Sequence, residues 1–339
     1  MIAKVGESFA ILSVGMMSPE GGANVLQEYL ERKPASAGIT GTNSTGSASS
    51  DGTTNDQNPA NQQPVTPEIS TTPPKRSPKG GTVIEEIIGY KDYVAGKIAL
   101  TNLTGVKFDI AGELKNSPNF TLKKDNTPQV LIMHTHTTES YMSYYAGYYN
   151  DSDAERTLDE RKNVVAVGER IAAQLENAGI GVLHDKTVHD NPEYTGAYTR
   201  SLKTVQAIMK KNPSIKVVLD VHRDSINRTD TTRVKPTVMV NGKKAAQVML
   251  VSCVSDSKTT PHPNWKQNFR TALQVQNQIA SDYEGLARPL RLVGLRYNQH
   301  VAPGSFLIEM GSDANTLEEA LYSGELVGKS LAKVLNTLK

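Results

Sequence analysis

Apolar runs and amphipathic segments alternate along the chain from about residue 82 to its C-terminus. Two runs, PQVLIM at 128–133 and IKVVLDV at 215–221, are typical of strands buried on both faces. Between them, apolar residues of 163–178 recur every three or four positions, which predicts a helix that Gly179 ends. A short strand at 181–183 and a helix at 200–211 follow. This alternation predicts an α/β fold with a mostly parallel sheet and helices on both faces.

The C-terminal part of the chain continues the same alternation. Asn241-Gly242 is a turn signal, and it predicts a hairpin between a strand at 238–240 and a strand at 246–254. A helix near 264–281, strands near 290–294 and at 305–309, and a last helix at 316–338 follow. Binding and catalytic groups of such sheets lie beyond the carboxyl ends of the strands. The ends of the predicted strands are therefore where functional residues are expected.

The N-terminal quarter of the chain has a different composition. Residues 1–33 form an N-terminal segment with a helical apolar pattern in Val25, Leu26, Tyr29 and Leu30. Residues 34–81 are rich in Ser, Thr, Gly, Asn, Gln and Pro and almost lack aliphatic side chains, so they cannot form a core and are predicted to be a disordered linker. Residues 82–339 are predicted to be the folded domain.

The charge balance and the cysteine count exclude several classes of function. The chain has 37 Lys and Arg against 35 Asp and Glu, and this balance does not favour a nucleic-acid partner. The single cysteine, Cys253, excludes an internal disulfide and a cysteine-rich metal site. No apolar run reaches the roughly 18–20 residues of a membrane helix. The first residues also lack a recognisable signal peptide, so for a protein that acts outside the cytoplasm the export signal or anchor is expected either upstream of this chain or lost from it.

Three of the predicted buried strands end in titratable residues. The first is followed by His134-Thr-His136-Thr-Thr-Glu139, the second ends in Asp220-Val-His222-Arg-Asp224, and the third ends in Glu309. Zinc prefers imidazole nitrogen and carboxylate oxygen, and a catalytic zinc site uses three protein ligands with a fourth position open. On an extended strand the two rings of HTH would share a face, so both could bind a metal or one could support the other.

The remaining candidates have ordinary explanations as well as functional ones. Glu139 and Asp159 are both candidates for a third ligand. An acidic residue at the start of a helix is also explained by helix capping alone. Glu309 follows Phe306-Leu-Ile, where a carboxylate is costly to bury unless it is paired or catalytic. The other histidines, His184, His189, His262 and His300, are expected to face solvent. The chain contains no GxSxG, phosphate-loop or GxGxxG motif.

Several segments together resemble one known family. The segments VLIMHTHTTESY, KNVVAVGERIAAQLENAGIGVLHDKT, VVLDVHRDS, RYNQH and FLIEMGSDANTLEEA resemble the stage II sporulation protein P family of endospore-forming bacteria, and the resemblance covers roughly residues 83–339. That family is similar in turn to the zinc N-acetylmuramoyl-L-alanine amidases. The resemblance implies an amidase-like α/β domain, Zn²⁺ as cofactor, and a role in the engulfment of the forespore.

The resemblance also implies roles for individual residues. Carried over by position, it makes His136 and His222 metal ligands and Glu309 the catalytic group, with His134 beside the metal ligands or as an alternative ligand. The amidase glutamate that precedes the first helix has no clean counterpart, so the third ligand is either Glu139 or Asp159. Asn315 resembles an asparagine that follows the catalytic glutamate. The candidates for substrate binding are Arg223, Asp224, Tyr297 and Asn298, and Arg223 could instead pair with Asp224.

The implied substrate is peptidoglycan. The family resemblance implies cleavage of the amide between N-acetylmuramic acid and L-alanine, and the family is also associated with cutting peptide crosslinks. It implies an extracytoplasmic location between mother cell and forespore, a membrane anchor that this chain does not contain, a second sporulation wall hydrolase as partner, and a membrane protein that recruits it. Two alternatives are a zinc peptidase that acts on another amide and a non-catalytic wall-binding scaffold.

Overall fold

The computed structural model describes residues 72–89, 95–123, 125–254 and 261–338. The predicted N-terminal segment and residues 34–71 of the predicted linker lie outside this range. The end of that linker contacts the domain, because the Tyr148 hydroxyl donates to the Pro74 carbonyl and the Ser77 amide donates to Asn150. Within the described ranges, no helix is both long enough and apolar enough to cross a membrane.

The described residues form twelve strands, five α-helices and one short 3-10 helix. The strands are β1 (Gly81–Glu86), β2 (Leu100–Asn102), β3 (Val130–Met133), β4 (Tyr148–Tyr149), β5 (Val182–His184), β6 (Val217–Asp224), β7 (Asn227–Thr229), β8 (Thr232–Val240), β9 (Lys243–Ala246), β10 (Val248–Cys253), β11 (Leu290–Val293) and β12 (Phe306–Ser312). The helices are α1 (Ile110–Leu114), α2 (Val164–Asn177), α3 (Ala197–Lys211), α4 (Trp265–Asp282) and α5 (Leu317–Asn336), and the 3-10 helix is Gln299–Val301.

The main sheet has seven strands in the order β2-β11-β10-β12-β6-β3-β5. Five of the six pairings between these described strands are parallel, and only β10 and β12 run antiparallel. The predicted α/β fold with a mostly parallel sheet is therefore confirmed. The antiparallel pair in the middle was not predicted, because an apolar run does not show the direction in which a strand joins its neighbour.

Helices cover both faces of this sheet, as the alternation predicted. Ile132 belongs to the core that includes Ile171 of α2, whereas its neighbour Leu131 packs with Val205 of α3. Adjacent residues of a strand point to opposite faces, so α2 and α3 lie on opposite sides. The Asn163 side chain accepts a hydrogen bond from the Val165 amide and so caps the start of α2.

A second, smaller sheet was not predicted. It has the order β4-β1-β8-β7, and β9 pairs with β8. The hairpin at Asn241-Gly242 is confirmed, and both residues have the positive φ angles of 47° and 77° that its turn requires. The predicted second arm at 246–254 is wrong. That arm is β9, and the chain then leaves this sheet at Gln247 to enter the main sheet as β10, where Val248 pairs with Met310.

Candidate metal centre

The carboxyl ends of β3, β6 and β12 meet at one edge, because these parallel strands are neighbours in the main sheet. Met133 of β3 pairs with Asp220 of β6, and His222 of β6 pairs with Glu309 of β12. His136 lies in the turn that follows β3. The three strand ends identified from the sequence thus bring their titratable residues to one place.

His136, Glu139 and His222 form a compact cluster at this edge, with one ligand atom of each within 4.8 Å of the others. Nδ1 of His136 lies 3.3 Å from Oε1 of Glu139, and Nδ1 of His222 lies 3.3 Å from Oε2 of the same carboxylate. The side chains are 11%, 7% and 4% exposed for His136, Glu139 and His222. The cluster is therefore a nearly dry set of two imidazoles and one carboxylate.

This donor set fits a zinc ion. Around a tetrahedral zinc with bonds of about 2.0–2.1 Å, neighbouring ligand atoms are about 3.3–3.4 Å apart, which both short separations match. Burial alone would raise the pKa of Glu139, but hydrogen bonds from His136 and His222 hold it well below its usual value. Burial likewise opposes a charge on His222, yet the carboxylates of Asp220 and Glu139 raise its pKa well above 6.5. The buried carboxylates thus stabilise positive charge in the cluster, as would suit the binding of a divalent cation.

Asp220 orients His222 from the side away from the cluster. Its Oδ1 lies 2.9 Å from Nε2 of His222, and the carboxylate accepts hydrogen bonds from the Thr135 amide and hydroxyl at 2.8 and 2.7 Å. A carboxylate behind a histidine fixes the ring and raises its basicity as a metal ligand. Asp220 was not predicted to have this role, although residues two apart on a strand share a face and the spacing Asp220-Val-His222 indicates it.

Glu309 lies beside His222 across the β6–β12 pairing. Burial and the nearby Asp224 carboxylate raise the pKa of Glu309 to about 8. Its Oε2 is buried and has no hydrogen-bond partner among the described residues. A carboxyl group with this pKa can exchange a proton near neutral pH, which suits a general base.

A bulge follows Glu309 immediately. The β6–β12 register shifts between Glu309 and Ser312, and Gly311 has a φ of +73°. A Cβ atom on Gly311 would lie 2.7 Å from Oδ1 of Asn315, which accepts a hydrogen bond from the Ser312 amide. Only glycine satisfies both the left-handed backbone and this close approach. Asn315 therefore fixes the turn behind Glu309 rather than contacting the cluster.

The two histidines of HTH do not share a face, so that prediction is wrong. β3 ends at Met133, and the residues that follow form a turn in which the rings separate. His134 is fully buried, with Nδ1 2.8 Å from the Val221 carbonyl and Nε2 2.9 Å from Nε2 of His184. Burial, together with the neighbouring His184, lowers the pKa of His134 to about 3. His134 thus lies behind the strand that bears His222 and is not part of the cluster.

The two candidates for the third ligand have different surroundings in the structure. Glu139 lies between the two histidines, whereas Asp159 pairs with Arg161 at 2.9 Å and with Lys162 at 3.5 Å at the surface. The hydrogen bond of its carboxylate with Arg161 lowers the pKa of Asp159 to about 2. Of the two, only Glu139 is placed to bind a metal together with His136 and His222.

The expectation that the other histidines face solvent is wrong for three of them. His189 and His262 are 2% and 3% exposed, and the His184 side chain is 8% exposed. Each has a polar partner, namely Thr204 for His189, Asn268 for His262 and Glu169 for His184. Polar neighbours in the sequence did not indicate exposure, because each ring contacts a polar side chain of a helix: Thr204 of α3, Asn268 of α4 and Glu169 of α2. His300 is half-buried.

The four candidates for substrate binding differ in their surroundings. Arg223 is not at the rim, because it is 7% exposed and its guanidinium donates to the carbonyls of Ser140 and Glu155. The expected alternative, an ion pair between Arg223 and Asp224, is also wrong, since the Asp224 carboxylate pairs with Arg288 at 2.9 Å. The other two candidates contact the segment that begins α3: the Asn298 amide donates to the Tyr198 carbonyl and to Ser201, and the Tyr297 ring lies 5.4 Å from the Tyr198 ring.

Aromatic side chains that the sequence analysis did not identify surround the histidines. Tyr194 stacks on His136 with ring centroids 4.4 Å apart, and Tyr198 meets His136 edge-on at 5.5 Å. The Arg156 guanidinium lies over the Tyr194 ring at 4.5 Å, and Nη2 of Arg156 is 3.8 Å from Oε1 of Glu139. Nothing in the local sequence marks these residues, because Arg156 and Tyr194 reach the cluster from later segments of the chain and Tyr198 from the first turn of α3.

Several solved amidase structures are weakly similar to this chain. N-acetylmuramoyl-L-alanine amidase AmiC2 of Nostoc punctiforme is 15% identical with a TM-score of 0.36, over 64% of this chain and 97% of that one. An N-acetylmuramoyl-L-alanine amidase from Clostridium difficile 630 is 16% identical with a TM-score of 0.35, over 63% and 97%. The CwlD amidase from Clostridioides difficile, solved with the GerS lipoprotein, is 12% identical with a TM-score of 0.36, over 62% and 98%.

Sequence comparison gives a more specific result. Stage II sporulation protein P of Bacillus subtilis (strain 168) is 29% identical over 201 residues, which are 56% of this chain and 47% of that protein. The chain thus covers about half the length of that relative. The family model described as Stage II sporulation protein P matches residues 16–335, nearly the whole chain. The predicted resemblance is confirmed, and this chain belongs to the stage II sporulation protein P family.

Proposed function

We propose that this chain is a zinc-dependent peptidoglycan hydrolase that cleaves the amide between N-acetylmuramic acid and L-alanine. The observation that carries the proposal is the cluster of His136, Glu139 and His222, with Glu309 paired in register beside His222. Three ligands and a neighbouring carboxylate of raised pKa are the parts that metal-assisted amide hydrolysis needs. Membership of the sporulation family supports peptidoglycan as the substrate.

Each side chain at the cluster has a distinct role in the proposed reaction. Zinc held by His136, Glu139 and His222 would polarise the scissile carbonyl and make water more acidic. Glu309 takes a proton from the attacking water and returns it to the leaving nitrogen. Burial raises the pKa of Glu309, which favours the protonated carboxyl that gives the proton to the leaving nitrogen. The Asp220 carboxylate lies 2.9 Å from the other ring nitrogen, Nε2, and its negative charge stabilises positive charge on His222.

Family membership also supports a proposal about context. We infer an extracytoplasmic site of action between mother cell and forespore, where peptidoglycan is the substrate. A second sporulation wall hydrolase and a recruiting membrane protein are the proposed partners. Cleavage of peptide crosslinks is proposed as an additional activity of the same centre, because both reactions hydrolyse an amide.

Digestion of purified peptidoglycan by the full chain tests the proposed bond. Mass spectrometry of the products is expected to show new L-alanine amino termini, which result only from cleavage next to muramic acid. New amino termini inside the crosslinks alone would instead identify a peptidase. A chain that binds no zinc and releases no product would be a scaffold.

Paired variants test the metal ligands. Glu139→Gln and His222→Ala are expected to lose zinc, measured by elemental analysis, whereas the surface variant Asp159→Asn keeps it. Glu309→Gln is expected to keep zinc but to lose roughly 10²–10⁴-fold in kcat, as the loss of a general base predicts. Wall digestion that is unchanged in His222→Ala would refute the mechanism.

A further inference from the structure

Tyr194 lies at the accessible side of the histidine cluster. Its ring stacks on His136, and its hydroxyl is 3.5 Å from Nδ1 of that histidine, the atom that faces Glu139. Tyr194 is 38% exposed, whereas Glu139 and His222 are 6% and 3% exposed. The Tyr194 side chain is therefore more exposed to solvent than the residues of the cluster that it adjoins.

Two neighbours hold the Tyr194 ring in place. The His136 ring stacks on it with centroids 4.4 Å apart, and the Arg156 guanidinium lies over it at 4.5 Å from its centroid. Arg156 is itself fixed, because it forms an ion pair with Asp190 and lies 3.8 Å from Glu139. A donor that is oriented before the substrate arrives needs no reorganisation during the reaction, which is the condition for effective stabilisation of a developing charge.

The Tyr194 hydroxyl is better placed to donate to a substrate than Arg156 is. The Arg156 guanidinium already contacts Asp190, Thr138 and Glu139. The Tyr194 hydroxyl has one polar contact among the described residues, the long one to Nδ1 of His136. When that nitrogen serves as a metal ligand, its lone pair is no longer an acceptor, and the hydroxyl can donate elsewhere.

We propose that Tyr194 is a catalytic residue whose hydroxyl donates a hydrogen bond to the carbonyl oxygen of the scissile amide as that oxygen becomes negative. This inference rests on the proposed function. Water adds to the carbonyl carbon, the carbonyl π electrons move to the oxygen, and Glu309 accepts the water proton. The C–N bond then breaks, the C=O bond re-forms, and Glu309 gives the proton to the leaving nitrogen. Tyr194 keeps its own proton throughout.

Tyr194→Phe in the full, zinc-loaded chain tests this role, because it keeps the stacked ring and removes only the hydroxyl. We expect kcat to fall roughly 10²- to 10³-fold while KM changes less than about threefold, as for the loss of one oxyanion donor. The affinity for a phosphinate analogue of the amide, whose oxygens stand for the oxyanion, should fall by the same factor. Zinc affinity, measured by competition with a chelator, should stay within about twofold of the wild-type value.

Tyr145→Phe is the matched control, since Tyr145 is 57% exposed and its hydroxyl contacts Glu85 on the small sheet. It is expected to leave all these values unchanged. Wild-type kcat and wild-type phosphinate affinity in Tyr194→Phe would overturn the inference, and so would a parallel loss of zinc affinity, which indicates support of the ligand His136. A wild-type chain without zinc or amide cleavage would refute the proposed function itself.

Discussion

Gly168, in the middle of α2, is expected to be intolerant of any side chain. A Cβ atom at this position would lie 2.7 Å from Nε2 of His184 and 2.8 Å from Cε1 of His134. Both rings are buried and joined by a hydrogen bond of 2.9 Å between their Nε2 atoms. His134 also contacts the carbonyl of Val221, one residue before His222. Gly168→Ala must therefore displace rings that lie behind the metal cluster.

Whether this substitution raises or lowers the free energy of unfolding depends on how one stabilising contribution compares with two destabilising ones. Alanine in place of glycine inside a helix stabilises by about 1 kcal/mol when space is available. Overpacking a filled core costs about 1–3 kcal/mol. Breaking the contact between His134 and His184 leaves a buried polar nitrogen without a partner, which costs about 1–3 kcal/mol more. We therefore expect Gly168→Ala to lower the free energy of unfolding by roughly 1–5 kcal/mol.

Urea denaturation of the metal-free chain measures this change. Gly147→Ala is the matched control, since no atom lies within 4 Å of its added Cβ and its φ is not positive. The control should change the free energy of unfolding by no more than about 0.5 kcal/mol. If Gly168→Ala is as stable as Gly147→Ala, the close packing of the two histidine rings does not hold. Zinc affinity of the same variant reports whether displaced rings disturb His222.

Three further predictions concern other parts of the domain. Asp220→Asn should weaken zinc binding roughly 10- to 100-fold in a chelator competition, since it loses the carboxylate behind His222. Lys235→Met should cost about 3–5 kcal/mol in urea denaturation, because buried Glu319 loses its partner at 2.8 Å, and adding Glu319→Gln should recover part of that. Burial lowers the pKa of His262 to about 4, so between pH 6.5 and 4 the unfolded chain binds more protons than the folded one. The free energy of unfolding therefore falls as the pH falls through that range, and His262→Gln should lessen this loss. An unchanged pH profile of unfolding in this variant would contradict the assignment.

The repeating pattern of the sequence was sufficient for the class of fold. The apolar runs at 128–133 and 215–221 became β3 and β6, and the helical spacing of 163–178 became α2. These elements could be predicted because strand and helix periodicity are local properties of the chain. The second sheet and the antiparallel β10–β12 pair were missed, since β4 and β7 are short and strand partners are selected across long sequence separations.

The residues of the candidate site also fall into those that could be predicted from the sequence and those that could not. His136, His222 and Glu309 could be identified from the sequence, because each stands at or just past the end of a buried strand and such ends meet at one sheet edge. The preference for Glu139 over Asp159, the separation of His134 from His136, and the burial of Arg223 depended on the tertiary structure. So did the positions of Tyr194 and Arg156 beside the cluster. The physical reason is that a strand end fixes where its backbone arrives, whereas the direction of a side chain in a turn is decided by the distant groups that pack against it.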